Sequence, residues 1–100
     1  MKRRYLAVQL ETAGVPSEKE LMDAVWGSVV RLYGEVGASL TYMTLISFDT
    51  SCKVAVIRTS LEMLYSVRAS LACITSVASK EAAMHVLAVS GTIKALFEKL

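Results

Sequence analysis

Histidine, proline and cysteine are scarce in this chain, which has one histidine, one proline and two cysteines in 100 residues. Two cysteines are too few for the disulfide framework that holds a small secreted domain together. Cys52 and Cys73 also lack the close spacing of paired metal ligands. We therefore expect two free thiols and no metal or other cofactor bound by the protein.

Long apolar runs are absent as well, since no run approaches the roughly 20 residues that a membrane-spanning helix needs. The basic start, Met1–Arg4, precedes only a short apolar stretch, which Gln9 and Glu11 interrupt, whereas a secretory signal needs a longer apolar core. A composition of 54% hydrophobic and 20% charged residues is typical of a folded domain. We predict a single domain over residues 1–100, with no membrane association and a cytoplasmic location.

The net charge of +2 arises from an uneven distribution of charged residues. Basic residues follow one another at Lys2–Arg4, whereas acidic residues gather between Glu18 and Asp23. From Lys53 onward, six basic residues stand against three acidic ones. Folding could gather these cations into one patch, so the sequence permits RNA contact without demanding it.

Hydrophobic periodicity and turn chemistry predict the order of elements along the chain. Ser17 and Glu20 have the spacing of a capping box, and Thr59 and Glu62 repeat it, so each pair is expected to open a helix. The predicted elements are a strand over Leu6–Leu10, a helix from Ser17 to Gly34, a hairpin of strands over Ser39–Phe48 and Lys53–Thr59, a helix from Thr59 with an apolar stripe to Ile74, a polar loop over Ser76–Glu81, a strand over Ala83–Val89 and a final helix over Thr92–Leu100.

This order is β-α-β-β-α-β with a trailing helix, which predicts a ferredoxin-like or RRM-like α+β sandwich. A four-stranded antiparallel sheet would carry two helices on one face. Trp26 and Tyr33 lie on the apolar stripe of the first helix and are predicted to be core residues. The other face of the sheet needs a cover, part of which could come from four residues of the final helix, Ile93, Leu96, Phe97 and Leu100.

Catalysis by side chains finds little support in this sequence. His85 lies within an apolar strand pattern, which favours a structural or exposed histidine over a general base. The loop Glu11–Val15 lacks the arginine that a small acylphosphatase-like enzyme would need. The predicted strand Lys53–Thr59 has no aromatic residue, so the sheet-face base stacking of an RNA-recognition motif is not expected. We therefore expect no catalysis by the isolated chain.

Ser90, Gly91 and Thr92 connect the last predicted strand to the final helix, and Lys94 follows directly. Amides at a helix start, the positive end of the helix dipole and a lysine ammonium together suit a phosphate. The alternative is an ordinary capped helix with a solvated lysine.

Two arginines allow two interpretations each. Arg58 ends an apolar strand, and Arg68 flanks the apolar stripe of the second helix. Each could extend along the surface or pair locally with a carboxylate such as Glu62. Each could instead bind a phosphate, for which the fork-shaped guanidinium is well suited.

Ordered motifs along nearly the whole chain resemble those of a known family. They are Lys2–Leu6, Ala24–Trp26, Arg31–Gly34, Gly37–Ala38, Ile57–Ser60, Val67–Ala72 and Val89–Lys94. On these motifs the chain resembles ribonuclease P protein component 2, a small archaeal subunit also found in eukaryotic ribonuclease P. It departs from that resemblance in the last strand, Ala82–Val89, where relatives often carry arginines.

The resemblance implies a subunit of a ribonucleoprotein endonuclease that removes 5′ leaders from precursor tRNA. In that family the RNA subunit performs the hydrolysis with Mg²⁺. The implied partners are ribonuclease P RNA, ribonuclease P protein component 3, a second copy of the chain within a heterotetramer, and precursor tRNA indirectly. The residues that match family motifs and are implied to bind RNA are Arg3, Arg4, Arg58, Arg68, Ser90, Gly91, Thr92 and Lys94.

Two other functions stay open on the sequence. One is a ferredoxin-like protein-interaction or ligand-sensing module without an RNA role, and the other is a small phosphate-handling enzyme. Turnover of precursor tRNA or of an acyl phosphate by the isolated protein would contradict the subunit interpretation.

Overall fold

The computed structural model describes residues 2–100, which form five strands and three helices. In chain order these elements are β1 (Arg3–Thr12), α1 (Glu18–Ser39), β2 (Thr44–Asp49), β3 (Val54–Ser60), α2 (Leu64–Ala72), β4 (Ser76–Val77), β5 (Lys80–Ser90) and α3 (Ile93–Lys99). The predicted β-α-β-β-α-β order with a trailing helix is confirmed. The additional strand, β4, has only two residues.

The sheet has the strand order β2-β3-β1-β5-β4, and every neighbouring pair is antiparallel. The four long strands therefore have the arrangement expected of the ferredoxin-like fold. β1 is central because it pairs with β3 on one side and β5 on the other. Its residues alternate between the two faces of the sheet.

The two faces of the sheet are covered unequally. Leu6, Val8 and Leu10 of β1 face the larger core, which they form together with buried residues of α1 and α2. Ala7 faces the opposite side, where it clusters with Val56 and Leu96 of α3. The final helix therefore covers part of the second face, as predicted, although Phe97 and Leu100 stay exposed.

The first helix begins as predicted and continues further. The Ser17 hydroxyl accepts a hydrogen bond from the Glu20 amide (3.1 Å), and the Glu20 carboxylate accepts one from the Ser17 amide (2.9 Å), so the capping box is confirmed. Gly34 ends the first helical segment of α1, as predicted, because its φ of +75° and ψ of 174° are not helical. A second, short helical segment follows this kink and ends at Ser39.

The second predicted capping box was wrong. Thr59 belongs to β3, where its buried hydroxyl donates to the Thr41 carbonyl at 2.9 Å. α2 begins at Leu64, and its N-cap residue, Met63, makes no side-chain cap. The Thr59 hydroxyl therefore makes a long-range hydrogen bond instead of the helix cap that its local spacing suggested.

Two further boundaries differ from prediction. β2 begins at Thr44 instead of Ser39, because residues 39–41 complete the end of α1. The segment Ser76–Glu81 is a tight hairpin instead of a loop, with both turn residues, Ala78 and Ser79, at positive φ.

The expectation that Trp26 and Tyr33 lie in the core was wrong, since 44% and 42% of their surfaces are exposed. Leu21 and Val25 of the same helix join the larger core, and Val29 is buried as well. None of the three helices described is both long and apolar enough to cross a membrane.

Candidate functional site

The start of β1 places two arginines at one end of the sheet, beside the ends of both neighbouring strands. Arg3 pairs with Ser60 of β3, and Arg4 pairs with Thr59. The next residue, Tyr5, pairs with Arg58 on one side and Ser90 on the other. Residues far apart in sequence therefore meet here. We call this surface, formed by Arg3, Arg4, Arg58, Ser90 and Gly91, the basic end.

The guanidinium of Arg4 lies against the turn that follows β5. A methyl group added at Gly91 would lie 3.6 Å from Arg4 Nη1, so the two residues are in close proximity. Arg4 Nη1 also donates to the carbonyl of Arg3 at 2.9 Å. The structure thus brings a guanidinium to the turn that was expected to bind phosphate. A guanidinium has further N–H donors for that purpose.

Arg58 extends from the α3 side of the sheet at the same end. It alternates with Ile57, which faces the core on the α1 and α2 side. Its side chain is half-buried, and Nη2 lies 3.5 Å from Thr44 Oγ1 on the neighbouring strand. This contact joins Arg58 to a neutral hydroxyl, so its positive charge stays available to an anion.

Thr92 caps α3 and engages one amide of its first turn. Its hydroxyl accepts a hydrogen bond from the Ala95 amide at 3.1 Å. Lys94 lies on the exposed side of this seven-residue helix. We expect the cations beside the turn, Arg4 and Lys94, to contribute most to any phosphate binding there, because they carry full charges.

Arg68 is not part of the basic end. It lies on α2, exposed, beside a cleft that Met84, His85 and Val86 of β5 also line. A salt bridge with Glu62, one of the alternatives for this side chain, is not formed, because the salt bridges within residues 2–100 join only Lys19 to Asp23 and His85 to Glu11.

Arg68 and Arg58 extend from opposite faces of the sheet, so if both bind RNA, as the family resemblance implies, their contributions should be independent. Arg68→Gln should lower the steepness of the salt dependence of RNA affinity by about one unit. Combined with Arg58→Gln, the two effects should add, because distant sites are energetically independent. Affinity measured over a salt series tests this. An unchanged slope in Arg68→Gln, with Lys19→Gln as the charge-matched control, would remove Arg68 from the RNA-binding set.

Electrostatic features elsewhere in the chain are local. The pKa of Asp49 is lowered because the Ser51 hydroxyl and amide, followed by Cys52, donate hydrogen bonds to its carboxylate. The pKa of Lys19 is raised by the hydrogen bond and charge of Asp23. His85 Nε2 lies 3.4 Å from a Glu11 carboxylate oxygen, and both side chains are exposed. These contacts stabilise a turn, a helix start and a strand pair.

The chain is similar to a known protein family along nearly its whole length. The model of the Rpp14/Pop5 family matches residues 4–100. The chain is 33% identical over 98 residues to ribonuclease P protein component 2 of Pyrococcus furiosus, covering 98% of this chain and 82% of that protein. The corresponding protein of Methanosarcina mazei is 35% identical over 98 residues, covering 98% of this chain and 83% of that protein.

The fold also has a counterpart among solved structures. A chain in the cryo-EM structure of yeast ribonuclease MRP superposes with a TM-score of 0.76 at 14% sequence identity. The match covers 91% of this chain and 75% of the yeast chain. At that identity, the likeness establishes a shared fold.

Proposed function

Because the chain belongs to the Rpp14/Pop5 family, we propose that it is a protein subunit of ribonuclease P that assists a catalytic RNA in removing 5′ leaders from precursor tRNA. The observation that carries this proposal is the family match over residues 4–100, together with identities above 30% to ribonuclease P protein component 2 along nearly the whole chain.

The role we propose for the protein is electrostatic. Folded RNA brings phosphates close together, and their repulsion opposes the compact catalytic form. Arg3, Arg4 and Arg58 are grouped at one end of the sheet, so they can neutralise neighbouring phosphates without any covalent step. Lys94 and the turn Ser90–Thr92 border the same region. Mg²⁺ would be bound and used by the RNA.

The proposal includes a set of partners. They are ribonuclease P RNA as the direct ligand, ribonuclease P protein component 3 as the protein partner, and a second copy of this chain within a heterotetramer. Precursor tRNA would be contacted indirectly, through the RNA subunit, and the complex would act in the cytoplasm.

Reconstituted cleavage of precursor tRNA tests the proposed function. Ribonuclease P RNA and component 3 are combined with and without this protein, and the rate is measured across a Mg²⁺ titration. We expect the protein to raise the rate and to shift the titration to lower Mg²⁺, because its cations replace part of the charge that Mg²⁺ must otherwise neutralise.

Two results would contradict the proposal. Equal rates with and without correctly folded protein would favour an interaction module with no RNA role. Cleavage of precursor tRNA by the protein alone would place the chemistry in the protein instead of the RNA.

A further inference from the structure

A cleft opens beside the basic end, between the C-terminus of α1 and the connection from β3 to α2. It has a volume of about 370 Å³ and is lined by Lys2, Leu40, Tyr42, Ser60, Leu61 and Glu62. Its residues come from three separate parts of the chain, and the pairing of Arg3 with Ser60 connects it directly to the basic end. The amide of Leu61 donates to the Lys2 carbonyl at 2.9 Å, which fixes one wall.

Tyr42 is the aromatic residue of this cleft, and its backbone is held in an unusual conformation. Its φ is +49°, in the left-handed region, which is costly for a bulky side chain. Even so, 58% of Tyr42 is exposed, so burial of its ring does not offset that cost. A strained, exposed aromatic residue is a reason to look for a ligand.

The neighbouring residue anchors this conformation. Thr41 is fully buried, and its carbonyl accepts hydrogen bonds from the Ser60 amide (2.8 Å) and the Thr59 hydroxyl (2.9 Å). Its own hydroxyl donates to the Ala38 carbonyl at 2.7 Å. The fold therefore presents Tyr42 to solvent from a rigid support.

Charge identifies the class of ligand that suits the cleft. Lys2 lines it, and Arg3 and Arg58 belong to the adjoining basic end, so an anionic chain can approach from that side. An aromatic ring beside cations is the combination that binds unpaired nucleotides, since the ring stacks on a base while the cations contact its phosphates. Glu62 lines the cleft too and could accept a hydrogen bond from a base amino group.

We propose that this cleft binds one unpaired nucleotide of an RNA, with its base stacked on Tyr42 and its phosphates toward Lys2 and the basic end. This inference deepens the proposed function and rests on it, because it assigns to the phosphate-binding surface a preference for single-stranded RNA. Phosphate contacts alone recognise paired and unpaired RNA by charge, whereas stacking requires a base that is free of its helix.

Binding of two RNAs of equal length to the full chain tests the proposal. One is an unstructured oligoribonucleotide and the other is a fully paired hairpin closed by a non-nucleotide linker, and fluorescence anisotropy gives the affinity of each over a salt series. The variants are Tyr42→Gly, which removes the ring and suits the positive φ, and Tyr42→Phe, which keeps a stacking surface. Tyr65→Ala, at a tyrosine of α2 that is 82% exposed, is the matched control.

We expect the wild-type protein to bind the unstructured RNA more tightly than the hairpin. Tyr42→Gly should weaken binding of the unstructured RNA by about 5- to 150-fold, corresponding to the usual contribution of one stacked base. Binding of the hairpin and the salt slope should stay unchanged, because no charge is removed. Tyr42→Phe and Tyr65→Ala should bind like the wild type.

Other outcomes separate failure of this inference from failure of the proposed function. If the wild type binds RNA with a steep salt slope and Tyr42→Gly binds both RNAs equally well, the nucleotide site is wrong and the charge-based role stands. If Tyr42→Gly weakens only the association with component 3, the cleft is a protein-binding site and the inference is wrong. If the wild type binds neither RNA at low salt, both proposals fail.

Discussion

Replacing Leu96 by alanine is expected to lower the free energy of unfolding by about 2–5 kcal/mol. Leu96 is the one residue of α3 that is fully buried, and it packs with Ala7 and Val56 against the face of the sheet opposite α1 and α2. Truncation would leave a cavity in a cluster too small to close around it. Since domains of this size are stable by only about 5–15 kcal/mol, the destabilisation should be plain in urea unfolding.

The same helix offers a matched control. Phe97 is next in sequence, yet 54% of its surface is exposed. Phe97→Ala removes a larger side chain and should nevertheless destabilise the protein far less than Leu96→Ala. Equal destabilisation by the two variants would show that the small cluster does not hold α3 to the sheet.

Removing both Arg4 and Arg58 is expected to have the largest effect on RNA binding. The double variant Arg4→Gln/Arg58→Gln should reduce the steepness of the salt dependence by about two units, one for each phosphate that the variant no longer neutralises. A charged hydrogen bond contributes about 1.5–3 kcal/mol, so the loss of two should lower affinity at fixed salt by roughly 100-fold or more. In the reconstituted reaction, the variant should need more Mg²⁺ than the wild type.

The opposite end of the sheet supplies a control of equal charge. Lys19 lies in the first turn of α1, and Lys80 lines a small cleft beside the loop that leads into that helix. The double variant Lys19→Gln/Lys80→Gln also removes two positive charges, but at the end of β1 that is distant from the basic end. We expect its salt slope to match that of the wild type. Equal reductions in both double variants would mean that net charge, rather than the basic end, determines RNA affinity.

The sequence alone determined the order of elements because that order depends on local signals. Alternating apolar residues in β1 and the Ser17–Glu20 capping box act within a few residues of each other, and both were confirmed. The sequence also indicated the second layer, since the final helix carried Leu96 at a position that could cover a bare sheet face.

Local signals failed wherever a distant segment competed for the same groups. Thr59 had the spacing of a helix cap, but its hydroxyl donates a hydrogen bond to the carbonyl of Thr41, which is distant in sequence. Trp26 and Tyr33 fitted an apolar stripe that was wider than the surface the sheet could bury. Periodicity states which residues could be buried, whereas the size of the opposing surface decides which of them are.

In the candidate site, too, the sequence identified the residues, whereas the tertiary structure decided which of them lie together. The charged residues of the site could be identified from the sequence, because arginines at predicted strand ends and a Ser-Gly-Thr turn are recognisable there. Only strand pairing brought Arg4 to Gly91 and Arg58 to Tyr5, and it left Arg68 on the face opposite Arg58. Tyr42 escaped sequence analysis altogether, since the alternating pattern placed it inside a strand. Hydrogen bonds from β3 to Thr41 determined that Tyr42 lies before β2, exposed in the cleft beside the basic end.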